Sequence, residues 1–157
     1  MKTPYESIID PNIEIRDLQQ KTLAEMSTLL PSSQAELVGA MAVPMVGRLE
    51  IDVMILSKNI ENDSKILSKN GYRQGPIEKE ISYLKKIEND VEIGIQIMDA
   101  ENKMVNTHRG IIQTLRDNDS LREKYEVFKK TLSGLSREEY KEKKSAWIRE
   151  NLIPQQS

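Results

Sequence analysis

Cysteine is absent from this 157-residue chain, so it can form no disulfide, thiolate nucleophile or cysteine-held zinc site. Histidine occurs once, at His108, which excludes a histidine-rich metal centre and a relay of imidazoles. A Ser–His–Asp triad would need that one ring, and the glycines of a nucleophile elbow are not there to support it. Aromatic residues make up 4% of the chain, with one Trp and one Phe, too few for a platform that stacks successive bases. No apolar run approaches the ~20 residues of a membrane-spanning helix, and the opening MKTPYESIIDPN lacks the apolar stretch of a signal peptide. The formal net charge of −2 excludes a strongly basic nucleic-acid binder on bulk charge. Lys and Arg outnumber Glu between residues 122 and 149, an excess that reads first as a solvated helix face and second as a surface that meets phosphates. The expectation is a cytoplasmic protein with no membrane partner and no nucleic-acid partner; the sequence sets no oligomeric state.

What is present is a balanced soluble composition, 38% hydrophobic and 31% charged, and its length suggests one domain over residues 1–157. Ile15, Leu18, Thr22, Met26 and Leu29 recur at helical spacing, predicting a helix over 13–30 that ends at Pro31. A short apolar stretch at 35–39 precedes a loop that contains Pro44 and Gly47. Residues 48–56 alternate, with Leu49, Ile51, Val53 and Ile55 on one face and Glu50, Asp52 and Met54 on the other, as in a half-buried strand. A polar helix over 61–70 runs into NGYRQGP, which reads as a glycine stop and a Gly-Pro turn. Segments 80–87 and 91–98 read as a strand pair. The last third is helical, with capping boxes at Ser120/Glu123 and Ser136/Glu139 and a stop at Gly134. The whole predicts a small mixed α/β (α+β) domain with an N-terminal helix and a helical C-terminal cap.

Glu50 and Asp52 are the candidate chemistry. Side chains two apart on a strand share a face, with Cα atoms roughly 6.5–7 Å apart, so two carboxylates can converge on a divalent cation. Hard cations such as Mg²⁺ take oxygen ligands, and phosphoryl transfer needs them to neutralise phosphate charge. The glycine turn at Gly39 and Ala40 brings backbone N–H groups close to a phosphate in such a site. Glu92, on the neighbouring predicted strand, is a candidate third carboxylate. His108 lies on the apolar stripe Met104, Val105, Ile111, Ile112 and Leu115 and reads as a core or boundary histidine rather than a base. Trp147 and Phe128 read as packing for the helical cap.

The segment VGAMAVPMVGRLEIDVMI, residues 38–55, resembles the glycine–serine–threonine–alanine–valine–proline–glycine segment and following strand of the GrpB family, with Arg48 near the family's lysine and Asp52 on its aspartate. Gly71-Tyr72-Arg73 is similar to a further family motif. Two Tyr-x-x-x-Lys segments follow, one placing Tyr125, Lys129 and Leu132 and the other Tyr140, Lys144, Trp147 and Ile148. The resemblance covers roughly residues 35–152. It implies a nucleotidyltransferase-like fold that binds a nucleoside triphosphate with Mg²⁺. Glu50 and Asp52 then serve as catalytic and metal-binding carboxylates, and Gly39, Ala40, Arg48, Lys129 and Lys144 as nucleotide-binding residues. The chain departs from the family at Ala40, where a hydroxyl residue is expected, at Gly94 and Gln96, in place of a His-x-His strand, and at Ile111, Ile112 and Gln113, in place of Phe-Arg-Asp. Glu50 is a carboxylate where the family has an apolar residue. Two functions follow from this pattern: a Mg²⁺-dependent nucleotidyltransferase with an unknown acceptor, and a catalytically degenerate nucleotide- or protein-binding module of the same fold.

Overall fold

The architecture comes from a computed structural model that describes residues 8–9, 13–39, 47–48, 50–132 and 134–152. In chain order the elements are β1 (Ile8–Ile9), α1 (Ile13–Leu29), β2 (Gln34–Val38), β3 (Gly47–Arg48), β4 (Glu50–Leu56), α2 (Ile60–Lys69), β5 (Arg73–Glu78), β6 (Ile81–Glu88), β7 (Val91–Met98), α3 (Lys103–Asp117), α4 (Asp119–Lys130) and α5 (Arg137–Asn151). Five strands form the main sheet in the order β2-β4-β7-β6-β5. β4 and β7 run parallel, and the other neighbours are antiparallel. β1 and β3 make a small antiparallel pair of their own.

The alternation along the central strands separates two apolar layers. Ile51, Val53, Ile55, Ile93, Ile95 and Ile97 pack with Ile15, Leu18, Met26 and Leu67, from α1 and α2. Val38, Met54, Ile81 and Met98 pack with Val105, Ile112, Leu115, Tyr125 and Leu152 on the other face. β4 is therefore not the half-buried strand that its alternation predicts: Met54 is 0% exposed. A parallel strand in the middle of a sheet has both faces covered, because its crossover and the rest of the chain pack against it. Glu50 and Asp52 accordingly lie under the C-terminal helices rather than in open water.

Two local expectations also fail. Residues 73–78 are a strand, not a turn, with a register irregularity between Gln74 and Ile77. Gly75 and Pro76 are tolerated there because β5 is the sheet's edge, where an absent N–H donor leaves no partner unmet. The cap of α4 is Asn118, whose side chain accepts from the Leu121 N–H at 2.9 Å, so Ser120 lies inside the helix. At the start of α5 Ser136 is the cap, its Oγ accepting from the Glu139 N–H at 3.2 Å. Among the described residues no helix is long and apolar enough to cross a membrane.

Candidate functional site

Strand register assembles the site. Asp52 on β4 lies beside Val38 of β2 and Gly94 of β7, and Gly94 in turn lies beside Lys85 of β6. Glu50 sits opposite Glu92. Cross-strand neighbours share a face, so Glu50, Asp52, Glu92 and Lys85 all point toward the C-terminal helices. There they line a cavity of about 690 Å³, within the range of small-molecule pockets. α5 supplies Lys141, Lys144, Ser145 and Ile148 to the opposite wall.

Asp52 fits between two glycines. Gly39 has φ +75, and a Cβ built on it would meet Asp52 Oδ2 at 2.7 Å; a Cβ on Gly94 would meet Oδ1 at 3.0 Å. Only a residue without a side chain leaves room for the carboxylate at Gly39, where the positive φ also favours glycine. Gly94 thus opens space beside Asp52 at a position where the resemblance leads one to expect a histidine.

The charges in this space are unevenly balanced. Lys144 Nζ donates to Glu50 Oε1 at 3.2 Å. Burial opposes ionisation of Glu50, but Lys144, with Lys141 and Lys129 behind it, outweighs that cost and holds the carboxyl below its ordinary range. Burial also disfavours the Lys144 charge, but Glu50 together with Tyr125, Tyr140 and Asp52 outweighs that cost, so the ammonium is held well above its usual value. Among the described residues Asp52 has no such partner. Burial and then the Glu50 charge push its pKa up to about 7, Glu92 adds to the shift, and Lys144 and Lys141 only moderate it. Glu92 reaches Lys85 at 4.0 Å.

Lys129 is not on the cavity wall. It is 1% exposed, lies 4.7 Å over the Tyr125 ring, and its Nζ has no hydrogen-bond partner among the described residues; nor has the Tyr125 hydroxyl. Burial and then the neighbouring Lys144 charge push the Lys129 pKa down to about 7. A buried donor without a partner costs about 1–3 kcal/mol, and the ring beneath it returns part of that. Lys129→Met, which keeps the length and removes the donor, is therefore expected to raise stability by about 1–2 kcal/mol. With its folded pKa below the unfolded one, Lys129 penalises the folded state fully below pH about 7, and the penalty fades as pH rises toward the unfolded value of 10.5. Urea denaturation at pH 6 and pH 10 should show the larger gain at pH 6.

The remaining candidates separate clearly. Ala40 and the Arg48 side chain lie outside the described residues. Gln113 faces away from the cavity and donates to Asp117 Oδ2 at 2.7 Å, whereas Ile111 lines the cavity. His108 is not enclosed by the core: its ring lines the cavity and its Nε2 lies 3.0 Å from Gln96 Oε1. Trp147 stacks between Tyr125 and Phe128, at ring-centroid distances of 4.6 Å and 5.5 Å. Sequence reasoning did not single out Lys141 or Ser145. Their signal was available, since residues 141, 144, 145 and 148 fall on one helical face.

Among the described residues no three Asp, Glu or His side chains cluster as a self-sufficient metal site. Two adjacent carboxylates nonetheless suit Mg²⁺, which takes one or two protein carboxylates and completes its shell with water and substrate phosphate oxygens. Asp52, buried beside two acids, is the kind of group that a cation would relieve.

A mixed sheet with a central carboxylate-bearing strand, covered on one side by C-terminal helices that close a cavity, is a nucleotidyltransferase-like fold. The polymerase core of TRAMP, an RNA surveillance complex, superposes with a TM-score of 0.51 at 16% identity over 73% of this chain and 41% of its own. Cid1 in complex with the UTP analog UMPNPP superposes at 0.50 and 12% identity, over 74% and 40%. The chain thus spans about two-fifths of each, and the likeness is one of fold. The family model described as GrpB protein matches residues 7–153, and the chain belongs to the GrpB family. A UPF0157 protein of Vibrio cholerae serotype O1 is 31% identical over 137 residues, covering 84% of this chain and 72% of the relative. The conserved protein GrpB from Enterococcus faecalis has the same fold, with a TM-score of 0.81 at 18% identity over 92% of this chain and 93% of that one.

Proposed function

We propose that the cavity binds a nucleoside triphosphate with Mg²⁺ and transfers its nucleotidyl group to an acceptor. The observation that carries this proposal is the placement of Asp52. Its carboxylate sits between two glycines, beside Glu50, on the floor of a cavity whose far wall carries Lys141 and Lys144. Glu50 and Asp52 would hold the Mg²⁺, which neutralises phosphate charge when bound. Lys141 and Lys144 suit phosphate oxygens as point charges, and the absence of a side chain at Gly39 lets Asp52 keep its place on the cavity floor. In the transfer, an acceptor oxygen forms a bond to the α-phosphorus, the bond from that phosphorus to pyrophosphate breaks, and the acceptor's proton is lost to solvent or a base.

Binding without transfer is the second reading, and one contact favours it. Lys144 already satisfies Glu50, so one of the two carboxylates is engaged by a lysine rather than free for a cation.

Thermal unfolding with ATP, GTP, CTP and UTP, each with and without Mg²⁺, tests both. Ligand that binds only the native state raises the melting temperature with its concentration. A Mg²⁺-dependent rise that Asp52→Asn abolishes is expected for the transferase. A rise indifferent to Mg²⁺, with no pyrophosphate released, would leave binding alone. No rise with any nucleotide at millimolar concentration would remove both.

A further inference from the structure

The cavity has two chemically different ends. One holds Glu50, Asp52 and Glu92 facing Lys141 and Lys144. One step further along β4 and β7, the cross-strand row is Met54, Gln96 and Tyr83. Met54 is buried, so Gln96 and Tyr83 are what the sheet presents there, and α3 adds His108 and Ile111. Glu36, at the outer end of this row, is held by Arg109 of α3. Burial lowers the His108 pKa and so favours the neutral ring.

Gln96 and His108 are hydrogen-bonded to each other at 3.0 Å, and among the described residues neither makes another side-chain hydrogen bond. A neutral imidazole has one donor and one acceptor, and a primary amide has both kinds of group. If the His108 Nε2–H donates to the amide oxygen, the amide N–H₂ and an imidazole acceptor remain unused. If the amide is turned the other way, its oxygen and an imidazole N–H remain unused. Either assignment leaves one uncharged donor and one uncharged acceptor on adjacent side chains. That set does not suit a second phosphate or a carboxylate, which offers acceptors only. The Tyr83 ring and Ile111 beside it suit a flat, weakly polar body.

We propose that Gln96 and His108 read the donor–acceptor edge of an uncharged planar heterocycle of nucleobase chemistry, whose phosphate tail lies at the charged end; this rests on the nucleotide-binding reading above. The pair is then the determinant of which nucleotide is preferred. Loss of the Gln96 amide should weaken binding of the preferred nucleotide about tenfold, since it strands hydrogen-bonding groups on both ligand and His108.

His108 is the single histidine of the chain, so its ring signals are unambiguous in long-range ¹H–¹⁵N spectra. The experiment records these signals, and in parallel the melting temperature, with each of ATP, GTP, CTP and UTP and with inorganic triphosphate, all with Mg²⁺. At least one nucleotide should displace the His108 signals, whereas inorganic triphosphate, which lacks a base, should raise the melting temperature without displacing them. Gln96→Leu should abolish the displacement and weaken that nucleotide about tenfold, while leaving the response to inorganic triphosphate intact. Gln96→Met, which keeps the length and removes both the amide donors and the acceptor, should do the same and serves if Leu disturbs the fold. Nucleotides that raise the melting temperature but leave His108 unmoved would overturn the inference and spare the nucleotide reading. So would a displacement that persists in both variants. Failure of every ligand, inorganic triphosphate included, to raise the melting temperature would bring down both.

Discussion

Lys144→Met is expected to lower the stability of the ligand-free protein by about 2–3 kcal/mol at neutral pH, because removing one partner of a largely buried pair strands the other's charge. The stranded group is Glu50, mostly buried on β4 with Asp52 and Glu92 as its acidic neighbours. In the wild type the Glu50 pKa lies below its ordinary value, so the pair contributes stability that is present above the unfolded pKa and is lost as pH falls through the lower, folded one. The gap between wild type and variant should therefore be widest near pH 7 and narrow on acidification. Urea midpoints between pH 3.5 and pH 7.5 measure it directly. The Glu50→Gln/Lys144→Met double variant should recover most of the loss, since two neutral groups leave no uncompensated charge. If Lys144 stands where a cation can bind, Mg²⁺ should stabilise the single variant more than the wild type. A variant that loses nothing, or whose loss is independent of pH, would mean that the ion pair does not hold α5 to the sheet.

Asp52→Asn should do the opposite. The pKa of Asp52 is raised from 3.8 to about 7, so the folded state holds a proton that the unfolded chain releases. The favourable contribution of that protonated form is complete below the unfolded pKa of 3.8 and is lost as pH rises to about 7. Above that, the buried ionised carboxylate is a pure cost. At ~1.4 kcal/mol per pKa unit the shift sets a ceiling of about 4 kcal/mol, and water in the cavity screens roughly half of it. Asparagine has the same shape and no charge, so the variant should be more stable than wild type by about 2 kcal/mol at pH 8, with the advantage vanishing toward pH 4. Guanidinium or urea denaturation at pH 4, 6 and 8 reads this out. Equal stability at pH 8 would show that the carboxylate is already compensated in the free protein. Stability gained at the expense of binding is the common signature of a functional group held in an unfavourable place.

The elements that were legible in the sequence are those with an internal period. α1, β4, β7 and the three C-terminal helices all carry their apolar residues at the spacing of the structure they form. β5 was not legible, because Gly75-Pro76 has the chemistry of a turn and only a position at the sheet's edge makes it a strand. The Asn118 cap was obscured by Ser120 two residues later, which has an equally good cap chemistry with a glutamate correctly spaced after it. Glu50 and Asp52 were visible as a same-face pair from alternation alone. Glu92 was legible as a candidate third carboxylate, but its place opposite Glu50, and those of Gly94 and Lys85 beside Asp52, were not, because register between strands distant in sequence sets them. The burial of Lys129 was equally hidden: a lysine in a helix reads as a surface residue until the packing of α4 against its neighbours is known.

The Glu50–Lys144 contact joins residues 94 positions apart in the chain. Pairings of such long range are expensive in loop-closure entropy and tend to form late in folding. β4 leaves the ribosome well before α5 is synthesised, at about 5–20 residues per second. For that interval Glu50 has no lysine to answer it and the cavity has no far wall. During that interval the Glu50, Asp52 and Glu92 face of the sheet lacks the α5 lysines that oppose it in the finished fold.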